Sequence, residues 1–281
     1  MSSLKVGFLF FFATSILFSQ DEKLIDHVLF YSSFDGNTNA NIAVGDAQIY
    51  TAENYEKSAS AKPGLHNPDV VLAKGKGLTG DALHFKKKNT SAIFYKATKN
   101  VGYSPNSWSG TVSFWLQLDP AKDLEPGFCD PINITDVRYN DAALWVDFTK
   151  DSPRTFRLGV LGDLDVWNPE NKNDDTKVQQ RTVTVHNPPF KSEKWTHIVI
   201  AYSEINTNKS VVKLYLDGQL QGSVKDVNDP FTWEVKNAKI MLGLSYVGLM
   251  DELSVFDKAL SPIEVKSVYE LENGLKTLLV K

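Results

Sequence analysis

Indoles spaced at strand period beside polar side chains are the first feature of this sequence with chemical content. Trp115 and Gln117 lie two residues apart in residues 111–118, and Trp145 and Asp147 repeat the arrangement in residues 142–148. At period 2 each pair shares one face, while Val112, Phe114, Leu116 and Leu118, and likewise Leu144, Val146 and Phe148, point the other way into a core. Arg157 lies opposite the Phe156, Leu158, Val160 face of residues 156–161, and Trp167 follows in a long polar stretch. A flat aromatic face against C–H groups, flanked by hydrogen-bonding side chains, is the chemistry a sugar ring requires. Placed in one sheet, the two pairs and Arg157 make a concave polar floor with two indoles, with Trp167 as a wall.

Other constellations compete with this one. Asp35, Asn37 and Asn39, with Asp46 further on, offer hard oxygen ligands for calcium within one loop. The loop is not an EF-hand, because Ala40 stands where Gly is needed and Asp46 where Glu is needed. Of the acidic residues at i and i+2, only Asp163 and Asp165 could share a sheet edge as a catalytic carboxylate pair, and no Glu-x-Asp-x-Glu strand exists. Arg157, His186 or His197, and Tyr246 supply the residue types of a polysaccharide lyase without its motifs. The histidines show no zinc spacing, and there is no Gly-x-Ser-x-Gly elbow. Cys129 is the single cysteine, so no internal disulfide forms, and its neighbour Asp130 argues against a reactive thiolate.

These residues need a scaffold, and the composition bounds it. The 281 residues are 42% hydrophobic with a formal net charge of −4, which fits a globular chain and gives no basic surface for nucleic acid. Lys5, the apolar run of residues 6–18 and the acidic pair Asp21-Glu22 read as an export signal over residues 1–20, too short to span a bilayer. The expected product is an exported, periplasmic or cell-surface protein with one domain over residues 21–281. More than ten alternating segments, joined by turns such as Asp217-Gly218, predict a two-sheet antiparallel sandwich. One helix is expected near the end: Ser261 caps it, Pro262 opens it, Glu264 completes a capping box and Gly274 stops it. Residues 119–138 and 166–180 read as long polar loops.

Four stretches together resemble the laminin-G-like, or concanavalin A-like, jelly-roll domains. They are GLTGDALHF (residues 77–85), GTVSFWL (110–116), KWTHIV with VKLYLDGQ (194–199 and 212–219), and GLMDELSVFDKAL (248–260). The resemblance spans residues of about 30 to 270 in family order, and it implies an all-β jelly roll. It places Trp115 and Trp195 at structural tryptophan positions. A calcium held between the first and last strands in such relatives implies Asp35 and Asp251 as its carboxylates here. Residues 119–181 exceed a minimal member's connection and are where individual activity is expected. The function this implies is a secreted, non-catalytic carbohydrate-binding or adhesive module whose partner is a glycan or a surface protein. Two alternatives stand beside it: a protein-interaction or structural domain of an exported complex, and a sandwich-fold lyase or glycoside hydrolase.

Overall fold

The computed structural model describes residues 24–172, 175–225 and 228–279; the expected signal, residues 1–20, lies outside them. Seventeen strands follow one another: β1 (Val28–Ser32), β2 (Ile42–Ala43), β3 (Ile49–Ala52), β4 (Lys62–Pro63), β5 (Val70–Ala73), β6 (Ala82–Phe85), β7 (Ala92–Lys96), β8 (Trp108–Gln117) and β9 (Cys129–Thr135). The second half adds β10 (Ala143–Phe148), β11 (Phe156–Leu161), β12 (Thr182–Val185), β13 (Thr196–Ile205), β14 (Val211–Leu216), β15 (Gln219–Lys225), β16 (Lys239–Leu244) and β17 (Gly248–Phe256). Three short helices that lie wholly among the described residues, α1 (Leu164–Trp167), α2 (Asp175–Gln180) and α3 (Pro262–Tyr269), are peripheral. None of the helices among the described residues is long and apolar enough to cross a membrane.

The strands form two antiparallel sheets. A nine-stranded sheet runs β15-β14-β13-β8-β17-β1-β2, with β6 joined to β17 and β5 to β6; an eight-stranded sheet runs β12-β11-β10-β9-β16-β7-β3-β4. The alternation of apolar residues explains the stack. Phe114, Leu116, Ile198 and Ile200 from the first sheet meet Leu144, Val146, Phe148 and Ile240 from the second in one core. Trp108, fully buried, sits among Tyr103, Tyr202 and Trp233, with its centroid 4.6 Å from that of Tyr202 and 4.7 Å from that of Trp233.

Several local expectations are corrected. Part of the stretch read as a polar loop is strand β9, which pairs with both β10 and β16. Its sequence, CDPINIT, hides the pattern because Asp130, Pro131 and Asn133 interrupt the apolar residues, although Ile132 and Ile134 still enter the core. Residues 119–181 therefore supply three central strands of the eight-stranded sheet and the segment above it. Asp163 and Asp165 share no sheet edge: Asp163 precedes α1 and binds Thr232, and Asp165 lies in the first turn. The capping box of α3 forms as expected, but the helix ends at Tyr269 rather than at Gly274. Gly274, with φ 63°, instead opens a short 3-10 turn over Leu275–Leu278.

Candidate functional site

The outer face of the eight-stranded sheet carries a cavity of about 730 Å³. Its floor is built from β10 and β11. Asp147 and Arg157 stand directly opposite each other in the ladder, and Trp145 stands opposite Gly159. Arg157 Nε donates to Asp147 Oδ1 at 2.9 Å, and Nη2 donates to Oδ2, a bidentate contact made possible by that register. Asp147 is buried; desolvation raises its carboxyl above the usual range, against the opposing hydrogen bond and charge of Arg157. Asp130 on β9 comes to the same floor because a bulge in the β9–β10 pairing falls opposite Asp147. Desolvation, then the charge of Asp147, pushes its carboxyl up to about 7, while Asn133 and Arg157 oppose the rise.

Trp145 and Trp167 both line this cavity, yet each is only 5% exposed. The segment carrying α1 and α2 folds over the sheet, and Leu161, Leu164 and Val178 pack with the two indoles in a satellite core. Their N–H groups serve the loop before β10: Trp145 Nε1 donates to the carbonyl of Tyr139 at 2.9 Å, and Trp167 Nε1 to the carbonyl of Asn140 at 3.0 Å. The rings that face solvent at the rim are ones the sequence reading passed over. Phe128 is 49% exposed and Tyr139 is 61% exposed, and both line the cavity. Each is an aromatic in a polar loop of the long central stretch, the only signal the sequence gives of them. Tyr55, Arg138 and Lys172 complete the walls.

Trp115 and Gln117 do not join this floor, since β8 belongs to the nine-stranded sheet. The expectation of two indoles on one floor is therefore corrected. Trp115 does point away from the core, but α3 covers it: its ring stacks on His197 at 4.6 Å and on Tyr269 at 5.7 Å, centroid to centroid. His197 is fully buried against Ser113 Oγ at 2.7 Å, and desolvation lowers its pKa to about 3. Tyr246 is buried with its hydroxyl donating to the Leu249 carbonyl at 3.1 Å. His186 is exposed just past β12, and with Tyr246 in the core the lyase set is not assembled around Arg157. Burial pushes the Cys129 thiol up to about 12, the behaviour of a packed apolar group.

The residues named for calcium are divided. Asp46 binds Tyr50 and Lys96, away from Asp35. Asn37 Oδ1 accepts from the Asn39 backbone N–H within its own loop. Asp35 and Asp251 lie near enough for the charge of Asp35 to raise Asp251. A bulge in β17 buries Asp251 and Glu252 together, with Glu252 at φ 53°. Asp251 Oδ2 accepts from the Leu78 N–H, and Lys276 Nζ stands 3.0 Å from Asp35 Oδ2. Among the described residues no three His, Cys, Asp or Glu side chains converge as a metal site. The carboxylates of Asp35 and Asp251 are hard oxygen donors of the kind calcium takes, but Lys276 already pairs with Asp35.

Domain 4 of AbnA, a GH43 extracellular arabinanase from Geobacillus stearothermophilus, solved with arabinotriose, is similar at 19% identity and a TM-score of 0.52, over 85% of this chain and 97% of that one. The binding domain of botulinum neurotoxin DC, solved with rat synaptotagmin II, is similar at 12% identity and a TM-score of 0.55, over 89% of this chain and 52% of that one. That of botulinum neurotoxin serotype G gives 14% identity and 0.55, over 86% and 50%. The chain spans about half the length of the toxin chains, and at these identities the likeness is one of fold. No curated protein matches the chain. Residues 95–266, more than half of the sequence, match the family model of the concanavalin A-like lectin/glucanases superfamily, with β8 to β17 inside the match. This chain belongs to that superfamily.

Proposed function

We propose that this protein is a non-catalytic carbohydrate-binding module whose ligand enters the cavity on the eight-stranded sheet. The observation that carries this reading is the rim: two exposed aromatic rings, Phe128 and Tyr139, beside a floor of paired Asp147 and Arg157. Exposed rings of this kind offer a stacking face, and the buried pair offers fixed hydrogen-bonding groups. Trp145 and Trp167 act through the loop they hold rather than as the outer stacking faces. A glycan array on the protein lacking residues 1–20 tests the reading: binding that falls in Phe128→Ala and Tyr139→Ala is expected. Absence of any bound glycan would return the fold to a structural or protein-binding role. Export is proposed on the apolar run of residues 6–18, and N-terminal sequencing of the protein recovered from its native host should find residues 1–20 removed.

A further inference from the structure

Arg157 carries more donor capacity than its internal partner uses. A guanidinium has five N–H donors in a fixed fork, and the bond pair to Asp147 occupies one at Nε and one at Nη2. Nη1 meets no hydrogen-bond acceptor among the described residues. The group is also held in place by its neighbours. Its Cζ lies 5.1 Å from the Phe128 ring centroid and 5.4 Å from that of Trp145. The side chain remains 20% exposed and lines the cavity. The edge left over, one N–H on each of Nη1 and Nη2, is the one that matches a planar carboxylate with two parallel bonds.

An anion is favoured here by the unused edge of Arg157 rather than by net charge, because the cationic and anionic side chains of the lining are equal in number. Arg138 and Lys172 line the cavity with Arg157, against Glu56, Asp130 and Asp147, and Lys172 is paired with Glu170. Asp147 is matched by Arg157. Asp130, with its carboxyl pushed up to about 7, has lost part of its charge at neutral pH. Arg138 is only loosely engaged, with its Nε 3.9 Å from Asp141, and half of its side chain is exposed.

Resting on the carbohydrate-binding reading above, we propose that the cavity takes a glycan bearing a carboxylate, and that the free Nη1–Nη2 edge of Arg157 reads it. Arg157 is then the residue that sets specificity, with Asp147 positioning it and Phe128 covering it.

The test uses calorimetric titration of polygalacturonate, alginate, hyaluronan and a sialylated oligosaccharide, each beside its carboxyl-reduced counterpart. At least one acidic form is expected to bind tenfold or more tightly than its reduced form. Arg157→Lys keeps the charge and removes the fork, so it should erase most of that ratio. The double variant Asp147→Asn, Arg157→Gln leaves no buried ion unpaired; it should keep the melting temperature near that of the parent and lose the ratio as well. Equal affinity for the acidic and reduced forms, or an unchanged ratio in Arg157→Lys, would overturn the assignment while leaving glycan binding intact. Failure to bind any glycan, charged or neutral, would overturn the carbohydrate-binding reading itself.

Discussion

The Trp145 indole lies flat against Gly159 on the neighbouring strand, so close that a Cβ at Gly159 would stand 2.1 Å from Trp145 Cζ2. The two residues are direct partners in the β10–β11 ladder, and the missing side chain of one makes the bed for the ring of the other. Gly159→Ala should therefore displace the indole and cost about 1 to 3 kcal/mol by overpacking. Chemical denaturation followed by tryptophan emission checks both effects, and an unshifted midpoint would mean the ring has room to move.

The rim rings and the buried indoles should separate cleanly in mutagenesis. Phe128→Ala and Tyr139→Ala remove exposed rings, so stability should change by less than about 0.5 kcal/mol. Glycan binding should weaken by about 0.5 to 1.5 kcal/mol each, up to roughly tenfold in Kd. Trp145→Ala should instead cost about 3 to 5 kcal/mol of stability. Parallel melting and binding measurements on the three variants would contradict this division if Trp145→Ala melted like the parent.

Stability should decline as pH rises from about 4 to about 8 on account of one buried pair. Desolvation, then Glu252, pushes the Asp251 carboxyl up to about 8, and desolvation pushes Glu252 up to about 7. Ordinary carboxyls titrate near 4, so in this window the native chain binds more protons than the unfolded one. The contribution is full below the unfolded values and is lost as pH passes 7 and 8. Facing the pair are Asp35, whose charge raises both carboxyls, and Tyr31 and Lys276, which both lower Glu252, Tyr31 by donating to its Oε1 at 2.8 Å. Melting temperatures recorded across this range should show less of the decline in an Asp251→Asn variant.

Calcium is proposed for the same end of the sheets, held by Asp35 and Asp251, and it would act against that decline. A cation bound only by the native state adds stability by mass action, about 2.7 kcal/mol at a hundredfold excess over Kd. Chelator should lower the melting temperature at pH 8. Lys276→Met should enlarge the calcium effect, because the ammonium now occupies Asp35. Superimposable melting curves with calcium and with chelator, in both proteins, would remove the ion from the account.

The strands that alternate regularly were legible from sequence. In β10, Leu144, Val146 and Phe148 turn into the core, and Trp145 and Asp147 turn out, as period 2 requires. What covers an outward residue was not legible, because it comes from far along the chain. Trp115 meets Tyr269, more than 150 residues later, and Trp145 meets the segment around Trp167. The rim rings were missed for another reason: Phe128 and Tyr139 lie in loops without a period, where position follows from backbone contacts made by other segments. The Asp147–Arg157 pair could be suspected from its two strands but not registered, since register depends on the turn between them.

Two indole N–H groups gripping successive carbonyls, those of Tyr139 and Asn140, do more than complete hydrogen bonds. They set the loop before any ligand arrives, so the conformational entropy of arranging the rim has been lost during folding rather than during association. For a ligand of the proposed kind, encounter would then select by fit to a surface already in its final form, and discrimination would be expressed chiefly in how fast each one leaves.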